Sequence, residues 1–193
     1  MGAVGTPKGE RRRAELVTAA AALLRSGGFD AVRHRAVAER AGLPLSSTTY
    51  YFDSLDALIS AAAERTSREE LAEGRAQLDA LGEGPVDQAA LVELVIDQLL
   101  GAESRDGGLD AVLLRYERLV GAGRRPYLAP LMRELRGELD ALLGEILARG
   151  GRQLDLPAVR DLVALVDGAV ISALIEADPD PRAAAREVLD RLL

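Results

Sequence analysis

The stretch from Arg33 to Phe52, RHRAVAERAGLPLSSTTYYF, decides the fold of this chain. It begins with a short amphipathic run, turns at Gly42, and ends with a run of hydroxyl residues followed by the aromatic triplet Tyr50 to Phe52. Two short helices joined by a turn that contains glycine are typical of a helix-turn-helix. We therefore predict that residues 46–51 form a recognition helix.

The aromatic triplet is unusual because the chain has only 4 Tyr, 2 Phe and no Trp. Half of its rings thus lie in one run. The helical direction predicts that Tyr51 and Phe52 pack against the first helix and Phe29, while Tyr50 faces outward.

The composition excludes several classes of protein. Apolar residues make up 48% of 193 residues, which is enough for a core, and the abundance of Ala and Leu favours helix. No run of about eighteen apolar residues predicts a membrane span, and no apolar segment near the N-terminus predicts a secretory signal. The chain has no Cys, which excludes disulfides and fits a cytoplasmic protein. No spacing of residues predicts a metal site, a cofactor or a catalytic group.

The charge is unevenly distributed along the chain. The formal net charge is −7, yet residues 1–60 carry eight positive and six negative side chains, so they sum to +2 and the remainder to −9. Phosphate should therefore be attracted only to the N-terminal part.

Glycine and proline divide the chain into nine predicted helices and no strand. Pro85, Pro126 and Pro181 are expected near the first positions of helices, and Asp53 and Asp180 are expected to cap helices. The predicted helices cover residues 8–25, 34–40, 46–51, 53–80, 86–102, 108–122, 126–149, 157–177 and 181–193. We predict a helix-turn-helix domain at 8–53 and a helical ligand-sensing and dimerisation domain at 54–193.

The helix predicted at 157–177 is apolar around most of its circumference, so both of its sides should be covered. A second copy of the chain is the cover that we favour, and a central core helix in a monomer is the alternative. The residues predicted to form this homodimer interface are Leu162, Val163, Val166, Val170, Leu174 and Leu189.

The residues of the helix-turn-helix suit double-stranded DNA. Short hydroxyl side chains allow a helix to approach base edges, and helix N-termini with arginine attract phosphate. Tyr50 can reach the sugar-phosphate backbone with its phenol. The predicted DNA-binding residues are Arg33, His34, Arg35, Leu45, Ser46, Ser47, Thr48, Thr49 and Tyr50.

Residues 10–60 resemble the N-terminal domain of the tetracycline-repressor (TetR/AcrR) family of bacterial transcription regulators. The resemblance is carried by Ala19-Ala20 through Gly28-Phe29, by HRAVAERAG (34–42), by TTYYF (48–52) and by SLDALI (54–59). It implies a nine-helix, all-α architecture with an N-terminal three-helix DNA-binding domain. It also implies a homodimer that binds a palindromic operator and is released by a small molecule.

Two positions depart from the family pattern. Many members have Thr or Ser where this chain has Arg33, and many have Lys where it has Leu55. Both positions commonly contact phosphate in the family. Arg33 is expected to replace one such contact, and Leu55 cannot replace the other. Binding should therefore depend more on Arg35, on the third helix and on Arg11 to Arg13.

The body gives weaker signals. Its aliphatic composition favours a hydrophobic effector, and four residues are candidates for the pocket: Gln98, Tyr116, Tyr127 and Met132. Two alternatives stay open, namely a helical small-molecule-binding protein or enzyme with a vestigial head, and an activator rather than a repressor.

Overall fold

A computed structural model describes residues 6–82 and 86–193. Within these ranges the chain is helical without strands, which confirms the all-α prediction. The helices are α1 (Pro7–Ala31), α2 (His34–Ala41), α3 (Leu45–Tyr51), α4 (Leu55–Ala80), α5 (Gln88–Leu100), α6 (Ser104–Ala122), a 3-10 turn (Pro126–Leu128), α7 (Ala129–Arg149), α8 (Leu156–Ile175) and α9 (Pro181–Leu192). The predicted marker Pro85 lies outside the described residues.

Glycine interrupts two of these helices where the sequence predicts a boundary. Gly28 has φ +65° and follows Gly27, whose φ and ψ are also non-helical, so the regular part of α1 ends at the predicted position. Gly108 has φ +51° inside α6, at the predicted start of that helix. Positive φ values are accessible to glycine at little cost, so these residues let the chain change direction.

The caps agree with prediction at one end of the chain and differ at another. The Asp180 carboxylate accepts a hydrogen bond from the Ala183 amide at 3.1 Å and caps α9, as predicted. At α4 the predicted cap was Asp53, but the Ser54 hydroxyl accepts the bond from the Ala57 amide at 3.0 Å. Because α4 begins at Leu55, Ser54 occupies the N-cap position, where a hydroxyl serves as well as a carboxylate.

The described chain divides into two compact units. The first contains residues up to 68 together with 116–132, and the second contains 69–115 and 133–193. The first unit has a core of small and aliphatic residues from α1, α2 and α4, closed by two rings. This core includes Leu16, Ala20, Leu24, Phe29, Val37, Phe52, Leu58 and Leu128.

The second unit contains an ionic network that joins α5, α6 and α9 and is buried at Asp97 and Arg182. Asp97 accepts hydrogen bonds from Arg105 at 2.6 Å and from Arg182 at 2.9 Å, and Glu93 pairs with Arg182 and Arg186. Burial alone would raise the pKa of the Glu93 carboxyl, but hydrogen bonds from Arg182 and Arg186 outweigh it and hold that pKa below its ordinary value. Buried charges need such partners, so the network fixes the register of three helices.

Candidate nucleic-acid interface

The first helix of the motif presents an open N-terminus. Arg33 occupies the N-cap position of α2 without making a side-chain cap. The first amides of a helix point outward along its axis and, without a cap, are available to an anion. The Nε of Arg33 donates to the Asp30 carbonyl at 3.0 Å, and the Arg35 side chain is 85% exposed while it pairs with Glu39. Two guanidinium groups and a helix dipole thus favour phosphate at one place.

His34 is the residue that begins α2. Its Nδ1 atom is buried and has no hydrogen-bond partner among the described residues. The side chain as a whole is half-buried, so the structure gives it a position at the edge of the predicted site.

The turn between α2 and α3 is closed by Gly42, which has φ +64°. Its amide donates to the Glu39 carbonyl at 3.2 Å, and the Leu43 amide donates to the Ala38 carbonyl at 3.0 Å. This pair of bonds is the usual way in which glycine ends a helix and redirects the chain. Pro44 then precedes α3 in an extended conformation. The turn therefore fixes the direction in which α3 leaves α2.

Most of the predicted recognition residues lie on the surface of α3. Leu45 is 53% exposed and Tyr50 is 54% exposed. Ser46 and Thr49 are exposed as well, and Ser47 is half-buried. Because α3 has only seven residues, this surface covers about two turns of helix, which suits insertion of its N-terminal end into a groove.

The prediction that Thr48 contacts DNA is wrong. Its side chain is fully buried, and its hydroxyl donates to the Leu45 carbonyl at 2.8 Å. Thr48 lies one helical turn before the buried Phe52, so the two residues share the face of α3 that points into the core. Its side chain therefore cannot contact DNA.

The aromatic triplet divides as the sequence predicts. Phe52 is 5% exposed and lies in the core with Phe29, and Tyr51 packs against the same cluster. The guanidinium of Arg13 lies 4.9 Å from the centroid of the Phe52 ring. Tyr50 meets Tyr51 edge to face at 4.9 Å, so the exposed ring packs against the partly buried one.

The Arg11–Arg13 cluster and Leu55 have distinct roles in the first unit. Arg11 is 81% exposed and pairs with Glu15 at 2.9 Å, while the guanidinium of Arg13 lies over the Phe52 ring. Leu55 packs against the hydrophobic core of the first unit. A lysine at this position would lose this packing and gain a charge, whereas the apolar side chain of Leu55 has no group that can bind phosphate.

The predicted dimer residues need correction. Leu162, Val163, Val166, Val170 and Leu189 are at most 4% exposed, so they belong to the core of the subunit itself. The reason is that α9 packs along α8 and covers this face. Leu174 is half-buried.

A different face of α8 is exposed and apolar. Its members recur at intervals of three and four residues, and small residues occupy every fourth position at 164, 168 and 172. Such spacing places them on one stripe of the helix. This exposed stripe of α8 consists of Ala164, Leu165, Gly168, Ile171, Ser172 and Ile175. The sequence does not distinguish this stripe from the core face, because apolar residues occur on both faces of α8.

The candidate pocket residues do not share one unit. Tyr116, Tyr127 and Met132 belong to the first unit and Gln98 to the second. Gln98 is 7% exposed, and a Cβ at Gly74 of α4 would lie 2.1 Å from its Oε1. Tyr127 is 37% exposed. Burial, the charge of Asp56 and a hydrogen bond to that carboxylate raise the pKa of the Tyr127 phenol, and Arg125 opposes the shift.

None of the helices in residues 6–82 and 86–193 has the length and apolarity to cross a bilayer. In the same residues, no group of His, Asp and Glu has the arrangement of a metal site.

Two family profiles match the chain. Residues 16–62 match bacterial regulatory proteins of the tetR family, and residues 86–193 match the tetracyclin repressor-like C-terminal domain. A curated relative, the HTH-type transcriptional repressor KstR of Rhodococcus jostii (strain RHA1), is 32% identical over 109 residues, which are 55% of this chain and 47% of that protein. The chain thus matches about half of the length of this relative.

Solved structures are similar over nearly the whole chain. The multidrug binding protein EbrR complexed with ethidium is 37% identical with a TM-score of 0.68, covering 94% of this chain and 98% of the other. The TetR-family member SCO1917 from Streptomyces coelicolor A3 is 34% identical with a TM-score of 0.63, covering 94% and 98%. The matched proteins are regulators or drug-binding proteins by name, and the helix-turn-helix lies within the matched residues.

Proposed function

The chain belongs to the TetR family of bacterial regulatory proteins, and we propose that it is a homodimeric repressor that binds a palindromic operator and is released by a hydrophobic effector. The observation that carries the proposal is the surface of α3. Leu45, Ser46, Thr49 and Tyr50 are exposed on α3, and α2, which packs against α3, begins without a side-chain cap. Short polar side chains and an arginine-flanked helix N-terminus suit base edges and phosphate, respectively.

Selection of bound duplexes from a random pool tests DNA binding directly. The expected result is a two-fold symmetric sequence whose half-site centres are about 34–36 Å apart, since two recognition helices must enter successive major grooves. Competition must be performed at matched salt, because the phosphate contribution to affinity is salt-dependent. No preference for any duplex over random DNA would contradict the proposal.

The exposed stripe of α8 is the surface that we assign to the homodimer. Leu165 is 54% exposed, Ile171 43% and Ile175 80%, and such a row of apolar side chains on one helix favours a two-fold helix-to-helix contact. The small residues at 164, 168 and 172 would let the two copies of α8 approach closely.

Sedimentation of a charged variant tests this surface. Ile171→Glu places a carboxylate in the proposed interface and is expected to shift the protein from dimer to monomer. Leu113→Glu is the matched control, because Leu113 is an exposed leucine of α6 outside the stripe, at 39%. If both variants dimerise equally well, the exposed stripe of α8 is not part of the dimer interface.

Two buried carboxylates of the second unit bear on the class of effector. Asp97 is paired with Arg105 and Arg182, and Asp140 with Arg136 and Arg160. Both carboxylates are therefore already neutralised by arginine, and a buried cation would have to displace one of these partners at high cost. A neutral hydrophobic effector fits better than a cation such as the ethidium bound by EbrR.

Titration of the protein–operator complex with neutral and cationic hydrophobic compounds tests the class. Linkage requires that a releasing compound bind the DNA-free protein more tightly, by the factor through which it weakens DNA binding. Release by ethidium but by no neutral compound would contradict the class. Tight binding of a compound without any effect on DNA affinity would favour a small-molecule-binding protein instead.

A further inference from the structure

The segment that joins α6 to α7 is part of the unit that contains the helix-turn-helix. Its backbone is ordered by local hydrogen bonds: the Arg125 amide donates to the Ala122 carbonyl at 2.9 Å, and the Leu128 amide donates to the Arg125 carbonyl at 2.8 Å. Leu128 is fully buried and anchors the segment in the core of that unit. The side chains of Arg125 and Tyr127 therefore leave the segment in fixed directions.

Arg125 covers the aromatic residue that follows the break in α1. Its guanidinium carbon lies 3.9 Å from the centroid of the Phe29 ring. One guanidinium nitrogen donates to the Gly121 carbonyl at 2.9 Å, and another lies 3.9 Å from the Asp30 carboxylate. A cation held over a ring with little water between them is a strong form of this contact. A Cβ at Gly121 would lie 3.2 Å from Phe29, so α6 also approaches the ring closely.

Tyr127 lies between Arg125 and the buried Leu128, which shares a core with Leu58 of α4. Burial and the charge of Asp56, in the first turn of α4, raise the pKa of the Tyr127 phenol, and Arg125 opposes this shift. The segment thus contacts the end of α1 through Arg125 and packs with α4 through Leu128.

We infer that Arg125 and Tyr127 are positioning residues for DNA recognition, because the segment that carries them contacts the end of α1 and packs with α4, and α2 and α3 lie between these two helices in the chain. The inference rests on the proposed function. α1 packs against α2 and α2 against α3, while Phe52, the C-cap of α3, lies two residues before the Ser54 cap of α4. A loosened end of α1 or start of α4 therefore changes how firmly α3 is held.

The variants Arg125→Ala and Tyr127→Phe test this role, with Arg124→Ala as the matched control. Arg124 is the exposed neighbour, and its replacement removes the same charge. The first measurement is the ratio of affinities for the selected operator and for a scrambled duplex at one salt concentration. A variant that merely unfolds in part loses both affinities equally, whereas a loosely held α3 lowers the ratio. We expect a fall of about fivefold to tenfold for Arg125→Ala and a smaller fall for Tyr127→Phe.

The second measurement needs no DNA. Amide hydrogen exchange in α2 and α3 is expected to be several-fold faster in Arg125→Ala and Tyr127→Phe than in Arg124→Ala or the wild type. Unchanged exchange, or equal effects of Arg124→Ala and Arg125→Ala, overturns the positioning role. If the wild type prefers no duplex, the proposed function fails, and the exchange rates still decide whether the two residues hold the motif.

Discussion

At the scale of single residues, Thr48 and Thr49 are adjacent in sequence but have opposite surroundings. Thr48 is buried with its hydroxyl bonded to the Leu45 carbonyl, and Thr49 is exposed with its hydroxyl bonded to the Ser46 carbonyl at 3.2 Å. Thr49→Ala is expected to weaken operator binding about fivefold while leaving the melting temperature unchanged. Thr48→Val should cost about 1 kcal/mol of unfolding free energy, because the hydrogen bond from the buried Thr48 hydroxyl to the Leu45 carbonyl is lost.

Fluorescence anisotropy with a labelled operator and chemical denaturation separate these two effects. A Thr48→Val protein that folds with full stability but binds DNA poorly would show that Thr48 reaches the groove. This pair explains why the site was only partly predictable. A hydroxyl in a short helix can bond to the carbonyl three residues earlier, so its residue type does not reveal whether it faces the core or solvent.

Arg33 gives a second prediction at this scale. Arg33→Ser supplies the missing side-chain cap of α2, which should add about 1 kcal/mol of stability. The same change removes a guanidinium from the predicted phosphate site. We therefore expect tighter folding, weaker operator binding and a salt dependence reduced by about one phosphate per protomer. An unchanged slope of affinity against salt would place Arg33 outside the DNA contact.

At the scale of helices, the boundaries were predictable and the exposed faces were not. Gly28, Gly42, Gly108 and Pro181 end or start elements for reasons that depend on backbone conformation alone. The face of α8 that meets solvent depends instead on where α9 lies. Since α8 has apolar residues on both sides, its pattern could not distinguish the core face from the exposed stripe.

Gly168 tests the exposed stripe of α8 without introducing charge. A Cβ at this position would have nothing within 4 Å in the subunit, so Gly168→Ala should stabilise the helix itself by about 1 kcal/mol. If two copies of α8 pack through the stripe, the added methyl group should nevertheless weaken the dimer. Gly137→Ala is the control, because Gly137 of α7 is equally uncrowded. Sedimentation equilibrium that gives the same dissociation constant for both variants would mean that α8 does not approach its partner at Gly168.

At the scale of the whole molecule, the part of the chain that we propose to bind DNA differs in net charge from the rest. Residues 1–60 sum to +2 and the rest to −9, so phosphate is attracted to one end of the chain and repelled by the remainder. Some acidic residues of the second unit have a structural role, because Glu93 and Asp97 pair with Arg182 and so join helices that are far apart in sequence. The sequence predicted the imbalance of charge but not these pairs, since their partners lie about ninety residues apart.

The ionic network predicts how stability depends on pH. Its arginine partners hold the pKa of Glu93 below the unfolded value, which is about 4.3. A carboxyl of this kind contributes its full stability above the unfolded pKa and loses it as pH falls through the folded pKa.

Urea unfolding between pH 7 and pH 3 should therefore show a falling free energy of unfolding for the wild type. Glu93→Gln should be less stable at pH 7 and have a flatter curve, because the titrating group is gone. Glu187→Gln removes an exposed ion pair with Arg191 and should retain the wild-type curve. Parallel curves for the wild type and Glu93→Gln would mean that this carboxylate does not link acid stability to the packing of α5 against α9.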